Sequence, residues 1–532
     1  MTGRRSFWGW GLEKDEPTNE QRQETAARLS KRFGREVTAP PVPRIEDVTL
    51  RAPRTTPPAS LREFTTSETY DRAWHSYGRS FRDVIRAVRG QFDNPPDVVA
   101  YPRTEAEVVA TLEWCGEANL TAIPYGGGSS VVAGVEPPEG GRPSVSIDLS
   151  KLDQVLEIDA TSRAARIQAG VLGPALEDQL RPHGFTLRHF PQSFEFSSLG
   201  GWIATRSGGH YATNHTHIDD FVESVRMVTP KGVWESRRLP GSGAGPSPDR
   251  MILGSEGTLG IITEAWMRIQ GRPVFRASAG LTFDSWQAGY EAARHVVQAK
   301  LWPANCRLLD PVEAGSAAGL KGDEALLIIA FESADVPQDA LIREAVKIAR
   351  AAGGRIDDSA IKISDGRNEE VGREGAVGAW RNSFITAPYS RNMTAGTGLV
   401  SDTFETSITW DRWPEFDRNI REAMNGALQR VCGGGSLSCR FTHVYTDGPA
   451  PYYSFSGMGR PGAELEMWAE LKQAASDAVI ANGGTITHHH AVGRDHMPWY
   501  REQRPPLFEA ALRAAKEAVD PQGLLNPGIL IG

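Results

Sequence analysis

Three glycine-rich stretches, in a fixed order, constrain this chain more than anything else in its sequence. The first, Pro124-Tyr125-Gly126-Gly127-Gly128-Ser129-Ser130, directly follows the strand-like Leu120–Pro124. Glycine lets a backbone approach a ligand closely, and consecutive exposed N–H groups form a nest suited to a pyrophosphate. The spacing is not G-x-G-x-x-G and no Gly-Lys-Ser/Thr follows, so neither a Rossmann nor a Walker A site is expected. Taken alone, such a turn is as often merely tight as it is a ligand cradle. The second stretch runs from Pro191 to Gly209 and includes Gln192-Ser193-Phe194-Glu195-Phe196-Ser197-Ser198 and Thr205-Arg206-Ser207-Gly208. A long aperiodic loop is usually functional or disordered, and its interleaved aromatics argue against disorder. The third, Glu256-Gly257-Thr258-Leu259-Gly260-Ile261-Ile262, is a polar glycine turn running into a buried strand.

Around these stretches the 532 residues are too many for one core, so two or three domains are expected. Residues 1–93 read as a separate front piece: a helix at Gln21–Phe33 stopped by Gly34, then a proline-rich connector that wraps or links. Residues 94–273 alternate short strands with helices. From 274 the pattern restarts as a βαβ-type series, with strands at Ser278–Thr282, Ala325–Phe331 and Gly484–Thr487 and helices at Ser285–Lys300, Gln338–Ala352 and Leu465–Asn482. A last helix spans Pro505–Val519, and no internal repeat is visible. A net charge of −8 argues against nucleic acid as a partner, and four scattered cysteines argue against a disulfide framework or a zinc site. No signal peptide or membrane span is read.

Chemistry-bearing residues gather in the second half. His488-His489-His490 places a quarter of the 12 histidines at three successive positions. Continued as a strand, it would put His488 and His490 on one face and His489 on the other. Imidazoles suit proton transfer and phosphate contact; the rival readings are a solvated polar turn or a chance metal-binding tract. No metal is expected, because no carboxylate or cysteine stands at ligand spacing. Tyr452-Tyr453 could equally be core aromatics, Arg391 a surface residue and Arg307 one half of a structural salt bridge.

The three glycine stretches together resemble the FAD-binding domain of the vanillyl-alcohol-oxidase (PCMH) type. The resemblance narrows over Ser193–Arg206, Met227–Gly232, the triple histidine and the opening Trp8-Gly-Trp-Gly11, which look like the alkyldihydroxyacetonephosphate synthase family. It implies an α+β fold: a two-subdomain FAD-binding domain (94–273), an α/β cap domain (274–505) that binds substrate, an N-terminal helical extension (1–93) and a C-terminal segment (506–532) returning to the FAD domain. The first turn would wrap the pyrophosphate, the second pass the isoalloxazine and the third line the dinucleotide. Ser129 and Ser130 stand where many members carry a flavin-linked histidine, so FAD is expected to be non-covalent. The implied reaction exchanges the acyl chain of acyl-dihydroxyacetone phosphate for a fatty alcohol through an adduct at flavin N5, without net redox. Tyr452 would exchange a proton with the substrate, Arg391 would bind its phosphate, Arg307 would be a second substrate-binding arginine that matters for activity, and His488, His489 and His490 would assist proton movement.

Two departures stand out: Ala491 replaces the usual glycine after the triple histidine, and Met393–Gly398 is smaller than the family pattern, which bears on the acyl tunnel. With no peroxisomal signal of the eukaryotic type at its end, a cytoplasmic or membrane-peripheral enzyme is expected, and the resemblance implies a homodimer. Two other readings stay open: an FAD-dependent 2-hydroxy-acid dehydrogenase of the D-lactate type on the same fold, and a flavoprotein binding module without catalysis.

Overall fold

The computed structural model describes residues 3–210, 217–320, 322–364 and 386–531. Strands Val98–Ala100, Ser144–Asp148 and Thr121–Tyr125 pair in parallel, with Thr65–Thr66 antiparallel at the edge. Their Val, Ile and Ala side chains are buried on both faces, as parallel strands require. Helix Glu105–Glu117, capped by the Thr104 hydroxyl, covers one side. A five-stranded antiparallel sheet, in the order Val155–Asp159, Ala164–Gln168, Ile261–Arg268, Val222–Thr229 and Gly232–Glu235, shares its core with the first sheet. Leu524 and Leu525 lie in that core, and the Ala122 N–H donates to the Leu524 carbonyl, 2.9 Å.

The second half forms one seven-stranded sheet in the order Lys362–Ile363, Phe275–Phe283, Ala325–Ser333, Asn305–Leu309, Ser436–Val444, Pro449–Met458 and Leu399–Glu405. Every pairing in it is antiparallel, which corrects the βαβ series expected from the sequence. The crossovers exist, but each is split by an inserted strand. Phe275–Phe283 and Asn305–Leu309, joined by helix Trp286–Gln298, are separated by Ala325–Ser333. Leu399–Glu405 and Ser436–Val444, joined by helix Trp413–Cys432, are separated by Pro449–Met458. Two split βαβ units thus stand side by side, joined where Leu308 faces Phe441, although the sequence shows no repeat.

The front piece is not separate. Phe7 and Trp8 are buried with Tyr77, Phe81 and Ile85 in the same core as the cap helices. Helix Asn19–Phe33 carries a Thr18/Gln21 capping box and ends on left-handed Gly34, φ 63°. Residues 484–487 are loop rather than strand, because their polar groups bond to Ser407, Thr406 and Gln503 instead of a ladder. Among the described residues no helix is long and apolar enough to cross a membrane.

Candidate active site

The first glycine turn has the attributes of an anion cradle. Among the described residues, no N–H from Gly126 to Ser130 has a protein acceptor. A side chain at Gly127 would overlap the Phe196 carbonyl, and Gly128 adopts φ 67° against the Tyr125 hydroxyl. Ser198 caps helix Leu199–Thr205 by accepting the Gly201 N–H at 3.3 Å, beside Gly126. Five successive free N–H groups and a capped helix N-terminus nearby suit the pyrophosphate of FAD. The second stretch then carries the chain to the cap: a Cβ at Gly208 would come 2.9 Å from His443 Cε1 and 3.4 Å from His489 Cβ. Only glycine lets this loop lie against the histidines.

Other residues of these stretches are committed elsewhere. Ser197 Oγ accepts from Trp202 Nε1 (2.7 Å) and Thr205 Oγ1 donates to the Gly201 carbonyl (2.8 Å). Phe194 stacks on Trp202, while Phe196 packs edge-on against Trp10. Glu195 accepts from the Tyr389 hydroxyl, 2.7 Å. Arg206 turns outward to Asp219 (2.8 Å), and Ser207 Oγ meets His189. Thr258, Leu259, Ile261 and Ile262 are buried, the last three in the domain core. Glu256 is used up: its carboxylate accepts the Val492 and Gly493 N–H groups (2.9 and 2.7 Å), and its backbone bonds Ala204 and Asn526. Burial pushes that carboxyl up to about 7 against the two N–H bonds.

On the cap side, register places Glu405, Tyr452 and Arg440 as direct neighbours across three strands. The Arg440 guanidinium lies 4.2 Å over the Tyr452 ring and is held by Glu313 at 2.7 Å. The Tyr452 hydroxyl donates to Thr403, 3.0 Å. Burial raises the phenol, while the Arg440 cation opposes the rise. Tyr453 points the other way, into the core, bonding Asp417 at 2.7 Å.

The triple histidine wraps around Glu405. This carboxylate accepts the N–H groups of His488 (2.9 Å), His489 (2.9 Å) and His490 (2.8 Å), the Thr487 hydroxyl (2.7 Å) and His489 Nδ1 (2.6 Å). The two-face arrangement expected of a strand is therefore replaced by a bend around one anion. His488 Nε2 meets the Tyr445 hydroxyl at 2.5 Å and His217 Nε2 at 3.2 Å. The His489 and His490 rings lie 6.1 and 5.5 Å from that of Tyr452. Burial lowers His488 and His443 well below the usual imidazole range and His490 to about 3, so these three are neutral. Ring nitrogens of His443, His488 and His489 lie within 4.8 Å of one another, close enough to hold a metal ion, a grouping that linear spacing did not reveal. In this arrangement His443 Nε2, His488 Nε2 and His489 Nδ1 are engaged by Gly209, Tyr445 and Glu405.

Arg391 is paired with Asp402 (3.0 Å) and the Arg79 carbonyl (2.7 Å). Arg307 is buried near His443 and reaches the His210 carbonyl at 3.4 Å. The sequence alone assigned no role to Glu405, Arg440, His443, Tyr445 or His217. Of these, only Arg440 could have been found from Tyr452, and only once the hairpin register was known.

Sequence profiles of two families match the chain: "FAD binding domain" over residues 96–236, and "FAD linked oxidases, C-terminal domain" over 272–530. The alkyldihydroxyacetonephosphate synthase of Dictyostelium discoideum is 32% identical over 472 residues, 86% of this chain and 77% of that one. That of Caenorhabditis elegans is 32% identical over 495 residues, covering 88% and 81%. A solved alkyldihydroxyacetonephosphate synthase superposes with a TM-score of 0.79 at 26% identity, covering 98% of both chains.

Proposed function

Because this chain belongs to the alkyldihydroxyacetonephosphate synthase family, we propose that it replaces the acyl chain of acyl-dihydroxyacetone phosphate with a fatty alcohol, releasing a fatty acid and forming an ether lipid precursor. It is a flavoenzyme with FAD as its cofactor. FAD, when bound, supplies an isoalloxazine against which the exchange at the substrate carbon proceeds without net redox. The observation that carries the reading is the row Glu405–Tyr452–Arg440 facing the histidines and the Gly208 loop. Tyr452, acting as phenolate after its hydroxyl proton has passed to the neighbouring imidazole of His489, takes a proton from the carbon bearing the ester, and the Arg440 cation over its ring stabilises that phenolate. His489 and His490, beside Tyr452, accept and return protons as carboxylate leaves and alcohol arrives. Arg391 binds the substrate phosphate in place of, or shared with, Asp402, through the fork that matches phosphate oxygens. Arg307 holds the wall behind His443.

The glycine turn offers FAD its backbone N–H groups, and Ser129 and Ser130 stand where a covalent link would need a histidine, which supports non-covalent binding. The homodimer and the peripheral membrane contact rest on the family likeness, with the long chains of both substrates as the physical reason for a membrane surface; size-exclusion chromatography and vesicle flotation test them. The 2-hydroxy-acid dehydrogenase reading is weaker, since the site centres on a buried phenol with a cation over its ring. The test is anaerobic addition of acyl-dihydroxyacetone phosphate to the oxidised protein without an electron acceptor. Bleaching of the flavin band with release of fatty acid, reversed by fatty alcohol, is expected. Bleaching only by a 2-hydroxy acid, with recovery on adding an acceptor dye, would overturn it.

A further inference from the structure

We infer that Glu405 is a positioning residue of this centre, holding His489 in the tautomer protonated at Nδ1 so that Nε2 is its proton-accepting atom. The inference rests on the proposed function for what the proton transfer serves, but on geometry for the placement. Glu405 ends the strand Leu399–Glu405 and is 2% exposed. Among the described residues its ion-pair partners are the three histidines alone, with no lysine or arginine. Its charge is balanced instead by consecutive backbone N–H dipoles, an anion nest built from the triple-histidine segment itself.

The two oxygens divide the work. Oε1 takes the Thr487 hydroxyl and the N–H groups of His488, His489 and His490. Oε2 faces His489 Nδ1 at 2.6 Å, with the His489 N–H at 3.1 Å. A carboxylate accepts only, so the nitrogen against it must carry the proton. The opposite nitrogen then holds a lone pair directed away from Glu405. The same carboxylate that folds the loop therefore sets the protonation pattern of the imidazole lying next to Tyr452.

The experiment compares Glu405→Gln and Glu405→Asp with the wild type, all loaded with FAD and checked by the flavin spectrum. Long-range ¹H–¹⁵N spectra of ¹⁵N-histidine-labelled protein report each imidazole tautomer, and exchange is assayed with palmitoyl-dihydroxyacetone phosphate and hexadecanol across pH. In Glu405→Gln the amide oxygen takes the Oε1 place among the backbone donors and the NH₂ faces His489. His489 should switch to the Nε2-protonated tautomer, with exchange falling roughly 10²–10⁴-fold, the span of a lost general base. Glu405→Asp keeps the acceptor and should restore the tautomer and part of the rate. An unchanged His489 tautomer in a folded, flavin-loaded Glu405→Gln protein would overturn the inference, as would a switched tautomer with exchange within about threefold of wild type. A wild-type protein that shows the Glu405-dependent tautomer but performs no exchange would sink the proposed function while leaving the placement supported.

Discussion

Glu405 and Glu256 hold one loop from opposite domains. Glu405, from the cap sheet, gathers the N–H groups of His488, His489 and His490; Glu256, from the FAD domain, gathers those of Val492 and Gly493. Both carboxyls are buried, yet they shift in opposite directions. Burial would raise Glu405, but the His489 imidazole at 2.6 Å, together with the three backbone N–H donors, holds it well below the ordinary carboxylate range. Glu256 has two N–H bonds and no such neighbour, and desolvation takes it up to about 7. Whether a buried carboxylate stays charged thus depends on how many donors converge on it, and here that number differs within six residues of one loop. The tighter grip lies on the cap side, next to Tyr452.

The comparison breaks most completely at Glu405→Ala. Three backbone N–H groups, a hydroxyl and an imidazole N–H lose their acceptor in a buried place. The cost should be roughly 4 kcal/mol, in the range for removing one partner of a buried charge arrangement. A large fall in thermal midpoint, with new proteolytic cleavage between 485 and 495, is the expected result. A midpoint within about 1 °C of wild type would mean that the loop is held by something other than this anion.

Acidity sharpens the contrast, because the two groups must respond with opposite signs. Glu256 has a folded value above its unfolded one, so its contribution is greatest below the unfolded carboxylate value of about 4.3 and is lost as pH rises toward 7. Glu405 is depressed, so its contribution is present above about 4.3 and is lost as pH falls from there toward its folded value. The rise of Glu256 to about 7 corresponds to about 4 kcal/mol at most. Glu256→Gln should flatten the decline of stability between pH 5 and 8 without touching the acid limb. Amide exchange protection reads both ends of the loop at once: Val492 and Gly493 should loosen toward pH 8, His488 to His490 only below pH 4. Parallel loss at both ends would end the distinction.

Much of the scaffold was legible in the residues, and the reasons are local. Helix Asn19–Phe33 announces itself through Thr18, Gln21 and Gly34, and strand Ala325–Ser333 through an unbroken apolar run. Helix Trp413–Cys432 does not, since it has no side-chain cap before its Trp413-Pro414 start and carries Gly426 in its interior. Strand Ser436–Val444 alternates Leu437, Cys439 and Phe441 with Ser438, Arg440 and Thr442, yet both faces are buried, so its polar face gives no sign in the sequence that it is covered. Tyr452 and the histidines were visible as unusual residues. Glu405 was not, since its partners stand 82 to 85 positions downstream and meet it only through the fold. The antiparallel cap was hidden for the same reason: sequence order shows a crossover but not the strand inserted into it.

The smallest expected effect belongs to a third carboxylate, held in the way neither of the others is. Asp219 is 5% exposed, but its partners Arg206 and Arg250, at 2.8 and 3.2 Å, are more than half exposed. Their charges are screened by water, and either arginine alone can still serve the same oxygen. Arg206→Ala should therefore cost less than about 1 kcal/mol, as exposed ion pairs do. Its guanidinium faces Asp219 rather than the Gly126–Ser130 turn, so the purified variant should also keep its full flavin absorbance. Loss of flavin with the thermal midpoint unchanged would show that this side chain reaches the dinucleotide, as its place in the second glycine-rich stretch led us to expect. It would also show that an exposed arginine, and not only backbone N–H groups, completes the cradle.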